Sequence, residues 1–226
     1  MSSKTIIRYN KQQEPKSNEF DSQCNCIIVE GRDDALFFEK ILYDMGYDET
    51  NAIIIMSDGK DKLLNLCRGV LKGRAFINGG SIKNIAIFFD ADDDIDASFS
   101  AISKCFTNNF ENMKIIKGKI CESFNGGRFG IYMLPDNKSS GALEDICIEL
   151  IKGEQELAES YLKCCELDIP NSDKKKRFLQ IYLATKPHLC RGVGMGFKRG
   201  AIPTNDKILG GIKEFIQDVF DSHYVS

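Results

Sequence analysis

A chain of 226 residues with 42% hydrophobic and 28% charged residues has the size and texture of a globular protein built from one domain and an extension. No apolar run approaches the roughly 20 residues a membrane-spanning helix needs, and the opening MSSKTIIRYNKQQEPKSNEF lacks the apolar centre of a signal peptide, so the expectation is a cytoplasmic protein with no membrane partner. The formal charge of −3 hides an asymmetry, because Ser172 to Gly200 carries eight Lys or Arg against the single acid Asp173.

Residues 1–23 read as a polar leader, in which Thr5 to Tyr9 is a candidate edge strand. CNCIIVE, Cys24 to Glu30, is a short β-branched apolar run that stops at Gly31, and from Asp33 the apolar spacing becomes helical through Leu36, Phe37, Phe38, Ile41, Leu42 and Met45. The same strand, turn and helix recur. AIIIM (Ala52 to Met56) precedes the turn Ser57-Asp58-Gly59 and a helix marked by Leu63, Leu64, Cys67, Val70 and Leu71; IAIFF (Ile85 to Phe89) precedes five aspartates and a helix marked by Phe99, Ile102, Cys105 and Phe106. A glycine-containing loop, Gly79-Gly80, separates these two units. FGIYMLP (Phe129 to Pro135) is a fourth strand before a helix from about Gly141. Strands apolar on both faces and alternating with helices predict an α/β fold, a parallel sheet of about four strands covered on both sides, over 24–152.

From 153 to 226 the strand texture disappears, and helical patterns run Glu154 to Cys165, Lys174 to Ala184 and Lys207 to Phe220. This stretch reads as a helical extension packed on the same domain, with RGVGMGFKRG as a basic glycine-rich loop. Nine cysteines without a CxxC pair read as reduced and mostly buried thiols, and the spacing of Cys164, Cys165, His188 and Cys190 fits no zinc template.

The carboxyl ends of parallel strands share one edge, where ligands gather. Glu30, Asp58, the pair Asp90 and Asp92, and then Asp136 with Glu144 follow four different strands toward that edge, and Asp34 opens the first helix beside it. In an extended exit, Asp90 and Asp92 lie on the same side. Crowded carboxylates repel one another unless a cation neutralises them, and an oxygen-only donor set points to Mg²⁺ or Mn²⁺. Some of these acids suit plainer roles. Asp33, Asp34 and Asp58 stand where helix caps do, Glu144 lies in a first helical turn, and Asp93, Asp94 and Asp96 suit a solvated turn.

The order VEGRDD, then SDG, then IFFDAD resembles the Toprim domain shared by topoisomerases, bacterial primases and the overcoming-lysogenization-defect nucleases, and GIYMLPDNKSSGALEDI with RGVGMGFKRGAIP is similar to stand-alone bacterial Toprim-like proteins of unknown function. The resemblance implies a Rossmannoid sheet, Glu30, Asp90 and Asp92 as the catalytic acids, and Asp34 and Glu144 as further metal ligands, with Asp145 able to stand in for Glu144. In the nuclease branch two cations act together on a phosphodiester. The topoisomerase tyrosine domain and the primase zinc module have no counterpart in this sequence.

Three functions remain open at this point. A metal-dependent nuclease would contact DNA or RNA phosphates through Arg32, Lys138, Lys198 and Arg199. A Toprim-like binding or regulatory module would hold metal and nucleic acid without cutting, working with a partner such as an ATPase or as a homo-oligomer. A phosphatase of the haloacid dehalogenase type would use Asp90 as nucleophile and Asp92 as acid and base, leaving Glu30 without a role. KKKR (Lys174 to Arg177) reads as a solvated helix face.

Overall fold

Alternate residues of the predicted strands enter two different cores. The computed structural model describes residues 8–9, 24–48, 50–57, 59–72, 82–107, 115–122, 127–154, 156–164 and 171–221. Its strands are β1 (Arg8–Tyr9), β2 (Cys24–Val29), β3 (Ala52–Met56), β4 (Ile82–Asp90), β5 (Ile120–Glu122) and β6 (Arg128–Leu134), in one sheet of order β1-β3-β2-β4-β6-β5. All neighbours pair in parallel except β5, which runs antiparallel to β6. The helices among the described residues are α1 (Arg32–Asp44), α2 (Lys60–Lys72), α3 (Ile95–Thr107), α4 (Leu143–Leu150), α5 (Glu156–Cys164), α6 (Asn171–Ala184), α7 (Val193–Lys198) and α8 (Gly210–Phe220), and a 3-10 turn at Lys207–Leu209 leads into α8. The fold is α/β. No helix among the described residues is long and apolar enough to cross a membrane.

The period of two along each strand divides the core. Ile27, Val29, Ile54, Phe88 and Tyr132 join α1 and the C-terminal helices on one face, whereas Cys26, Ile28, Ile53, Phe89 and Ile131 meet α2 and α3 on the other. Residues 178–220 contribute Phe178, Leu179, Phe197, Ile212, Phe215 and Ile216 to the first of these cores. Burial on both faces explains why the strands read as continuous apolar runs.

Two expectations need correction. The sheet has six strands instead of about four, because β1 and β5 are edge strands of two and three residues, too short to carry an alternation signal. The stretch read as a glycine-rich loop contains α7. A Cβ on Gly194 would lie 2.7 Å from Leu36 Cβ and 2.8 Å from the Asp33 carbonyl oxygen, and one on Gly196 would lie 2.8 Å from Leu183 Cδ2. These glycines let α7 press against α1 and α6, and that packing outweighs their poor helix propensity.

Gly130 plays the same part in β6, since a Cβ there would stand 2.7 Å from Phe215 Cζ. Gly130→Val should overpack this contact, cost ~2 kcal/mol and lower the melting temperature by roughly 4–8 °C. An unchanged melt would mean that α8 does not seat on β6.

The strand order positions the site. From β2 the chain crosses to β3 on one side and then returns past β2 to β4 on the other. Connections therefore leave β2 and β4 in opposite directions, which opens a crevice at their carboxyl ends.

Candidate functional site

β2 runs into Glu30 and Gly31, and β4, its neighbour, ends at Asp90. Asp34 turns back toward the same edge because its Oδ2 accepts from the Gly31 N–H at 2.9 Å. Beyond Asp90 the backbone is stitched to the loop after β6. Asp92 N–H donates to the Gly141 carbonyl (2.8 Å), and Gly141 N–H donates to the Asp92 carbonyl (2.7 Å). This stitch sets the first turn of α4, and Glu144 with it, beside the exit of β4. The result is a cleft of about 480 Å³ lined by Glu30, Asp34, Asp90 and Glu144, with Arg32 and Lys176 also on its walls.

Burial governs the charge state here. It pushes the Asp90 carboxyl up to about 8, reinforced by the negative charges of Asp34, Glu30, Glu144 and Asp92. Burial likewise raises Asp34 to about 7 against the lowering effect of the Gly31 N–H, with Glu30 and Glu144 adding to the rise. Glu30 is raised by burial and then by Asp92, with Lys60 and Lys176 pulling the other way. Asp90 Oδ1 is buried and has no hydrogen-bond partner, a rare state for a buried polar atom. An orphaned carboxylate oxygen among further carboxylates fits a hard divalent cation held by oxygen. As the side chains stand, no group of three or more acid, His or Cys residues among the described residues is placed to hold a metal ion.

The other predicted residues divide between cleft and scaffold. Asp92 does not share a side with Asp90 in an extended exit. It adopts a left-handed conformation (φ 51°) and pairs through Oδ2 with Lys60 Nζ at 2.6 Å. Lys60 also donates to Ser98 Oγ (3.0 Å) and lies 4.8 Å from the centre of the Phe89 ring. Asp33 sits at the cleft margin, where its Oδ1 accepts from Gly194 N–H (3.1 Å) and anchors α7. Asp94 Oδ1 accepts from Asp96 and Ala97 N–H, capping α3, and Asp96 pairs with Lys117. Asp136 accepts from Lys138 and Ser139 N–H in a side-chain turn. Asp58, the leader at 1–7 and 10–23, Gly79-Gly80 and Cys165 lie outside the described residues.

Of the expected phosphate contacts, only Arg32 lines the cleft. Lys138 is exposed on the loop after β6. Lys198 pairs with Glu39 of α1 (3.4 Å), and Arg199 donates to the Leu189 carbonyl (2.5 Å) beside a separate cleft of about 320 Å³ that Lys186 and His188 also line. Forming α7 turns these two cations onto the scaffold. Sequence reasoning missed Lys60 and read Lys176 as part of a solvated face. The turn glycine before Lys60 was a usable signal; for Lys176 there was none, because its position depends on how α6 packs on α4.

The choice between Glu144 and Asp145 is geometric. Asp145 Oδ2 accepts from Ala142 N–H (3.0 Å) and its Oδ1 pairs with Lys175 Nζ (2.5 Å), whereas Glu144 lines the cleft. Asp145→Ala should cost ~1 kcal/mol through the lost cap and leave Mn²⁺ affinity within about twofold of wild type. Glu144→Gln should do the reverse, weakening Mn²⁺ by about tenfold or more with an unchanged melt. Calorimetric titration with Mn²⁺ and thermal unfolding separate the two, and equal effects would remove the distinction.

The sequence model of a family described as a protein of unknown function (DUF3226) matches residues 24–221. No curated protein and no solved structure matches the chain significantly.

Proposed function

We propose that this chain, which belongs to the DUF3226 family of proteins of unknown function, is a Toprim-like, Mg²⁺- or Mn²⁺-dependent phosphodiester hydrolase acting on DNA or RNA. The observation that carries the reading is the orphaned, buried Asp90 oxygen at the β2/β4 crevice, with Glu30, Asp34 and Glu144 on the same cleft. The order of glutamate, glycine and paired aspartates along the chain supports the Toprim comparison, and so does the placement of Glu30 and Asp90 at the carboxyl ends of adjacent parallel strands.

Asp90, Glu30, Asp34 and Glu144 would hold the metal. When bound, the ion supplies water activation and stabilisation of the leaving oxygen. The chain supplies the rest. Asp92, fixed by Lys60, adds negative charge at the cleft's edge and favours retention of a cation there. Arg32 and Lys176 place positive charge where the phosphodiester must enter an acidic site. Glu30, only half-buried and with a raised pKa, is the acid best suited to exchange a proton with solvent.

Incubating the protein with supercoiled plasmid, linear duplex DNA and structured RNA in Mg²⁺ or Mn²⁺ tests the proposal, and metal-dependent cleavage is expected. Binding without turnover would instead favour the non-catalytic module. A haloacid-dehalogenase mechanism would leave Glu30 without a role, although Glu30 lines the same cleft as Asp90.

A further inference from the structure

We infer that the first turns of α6 form a basic rim along which a polynucleotide backbone lies as it reaches the carboxylate cleft. The inference rests on the hydrolase reading and adds the surface that recognises its substrate. Residues 173–177 of α6 are all exposed, while Phe178, Leu179, Tyr182 and Leu183 are buried. Successive helical residues are about 100° apart, so a helix packed along its whole length buries part of any such run. Here the start of α6 stands clear of the core and presents Lys174, Lys175, Lys176 and Arg177 around its circumference.

That projecting turn stands at the cleft. Lys176 lines it with Nζ 4.0 Å from Glu144 Oε1, and Lys175 pairs with Asp145 at 2.5 Å, so two lysines fasten the rim to the first turn of α4. Lys174 and Arg177 take the remaining directions around the helix. An acidic cleft repels phosphate unless cations at its mouth compensate. Arg32 and Lys176 would suffice for a ligand with one phosphate. Lys174 and Arg177 continue the positive charge away from the cleft, which suits a ligand whose negative charge also continues. The rim adjoins the carboxylate cleft through Lys176, whereas Lys198 pairs with Glu39 of α1, Arg199 donates to the Leu189 carbonyl, and neither lines that cleft.

The test is binding of fluorescently labelled 20-nucleotide single-stranded DNA, its duplex and the matching RNA, measured by anisotropy in EDTA so that no cleavage occurs. Lys174→Ala with Arg177→Ala should weaken binding about tenfold at 0.1 M salt and reduce the slope of log K against log salt by roughly 1–2, the release expected for two lost phosphate contacts. Lys198→Ala should leave the slope unchanged, and the melting temperature of each variant should match wild type. The inference is overturned if the double variant keeps the wild-type slope, if wild type binds none of the three, or if polyglutamate of matched charge binds as tightly and loses as much. The three nucleic acids separate single-strand from duplex preference. Hydrolysis of bis(p-nitrophenyl) phosphate, a diester without neighbouring phosphates, and of plasmid in Mn²⁺ keeps the two claims apart. Small-diester hydrolysis unchanged in the double variant with an unchanged binding slope leaves the hydrolase and removes the rim. An altered slope with no hydrolysis of either substrate leaves the rim and removes the hydrolase.

Discussion

Asp90→Asn should eliminate metal-dependent cleavage, lowering it by more than ~100-fold, beyond the 10–100-fold typical of losing an outer-shell partner. The expectation follows from placement. Asp90 ends the central strand β4, its Oδ1 is buried without a partner, and it borders the same cleft as Glu30, Asp34 and Glu144. Replacing the carboxylate with an amide removes the charge that attracts a cation while keeping the volume, so the fold should persist. Mn²⁺ titration should show binding lost together with cleavage. Asp92→Asn should cost less, roughly tenfold, because Asp92 is exposed and tied to Lys60. If Asp90→Asn cleaved plasmid at the wild-type rate, the cleft would lose its place as the reaction centre; if it unfolded in EDTA, Asp90 would be a structural residue.

In the absence of metal, stability should fall as pH rises from about 5.5 to 8.5. Asp90 and Asp34 are raised to about 8 and about 7 in the fold, from an ordinary value of 3.8. Across that interval the folded protein retains protons that the unfolded chain has already released, so the free energy of unfolding declines with pH. The stabilisation is fully present below about 4 and is lost as pH passes through the folded values. A divalent cation acts in the opposite sense. It binds the ionised acids, and its stabilising effect grows as they lose protons. Thermal unfolding in EDTA should show a decrease of roughly 5–10 °C over this range, flattened by 10 mM Mg²⁺ and reduced by about half in Asp90→Asn, where burial still raises Asp34. A flat profile for metal-free wild type would mean that both acids are already ionised in the fold.

The strands β2, β3, β4 and β6 were legible because burial on both faces leaves continuous apolar runs, and the general placement of acids at strand ends follows from parallel pairing. Glu30, Asp34, Asp90 and Glu144 were legible for that reason, and the cleft brings them together. Asp92 was misplaced because a single left-handed residue redirects its side chain, and spacing carries no sign of that turn. α7 was hidden by its glycines, whose value lies in contacts with Asp33, Leu36 and Leu183, far away in sequence. Lys60 and Lys176 belong to different helices on opposite faces of the sheet, and only the crossovers decide that both act on Glu30.

The seating of α8 on β4 and β6 has a consequence for synthesis. Phe88 of β4 finds its partner Phe215 more than a hundred residues later, and at 5–20 residues per second a ribosome needs on the order of 10 s to cover that distance. During that interval one face of the nascent sheet, with Phe88 and Tyr132, has no lid from α8. Transiently exposed apolar surface favours aggregation, so slowing translation between β6 and α8 should raise the aggregated fraction without changing a single residue.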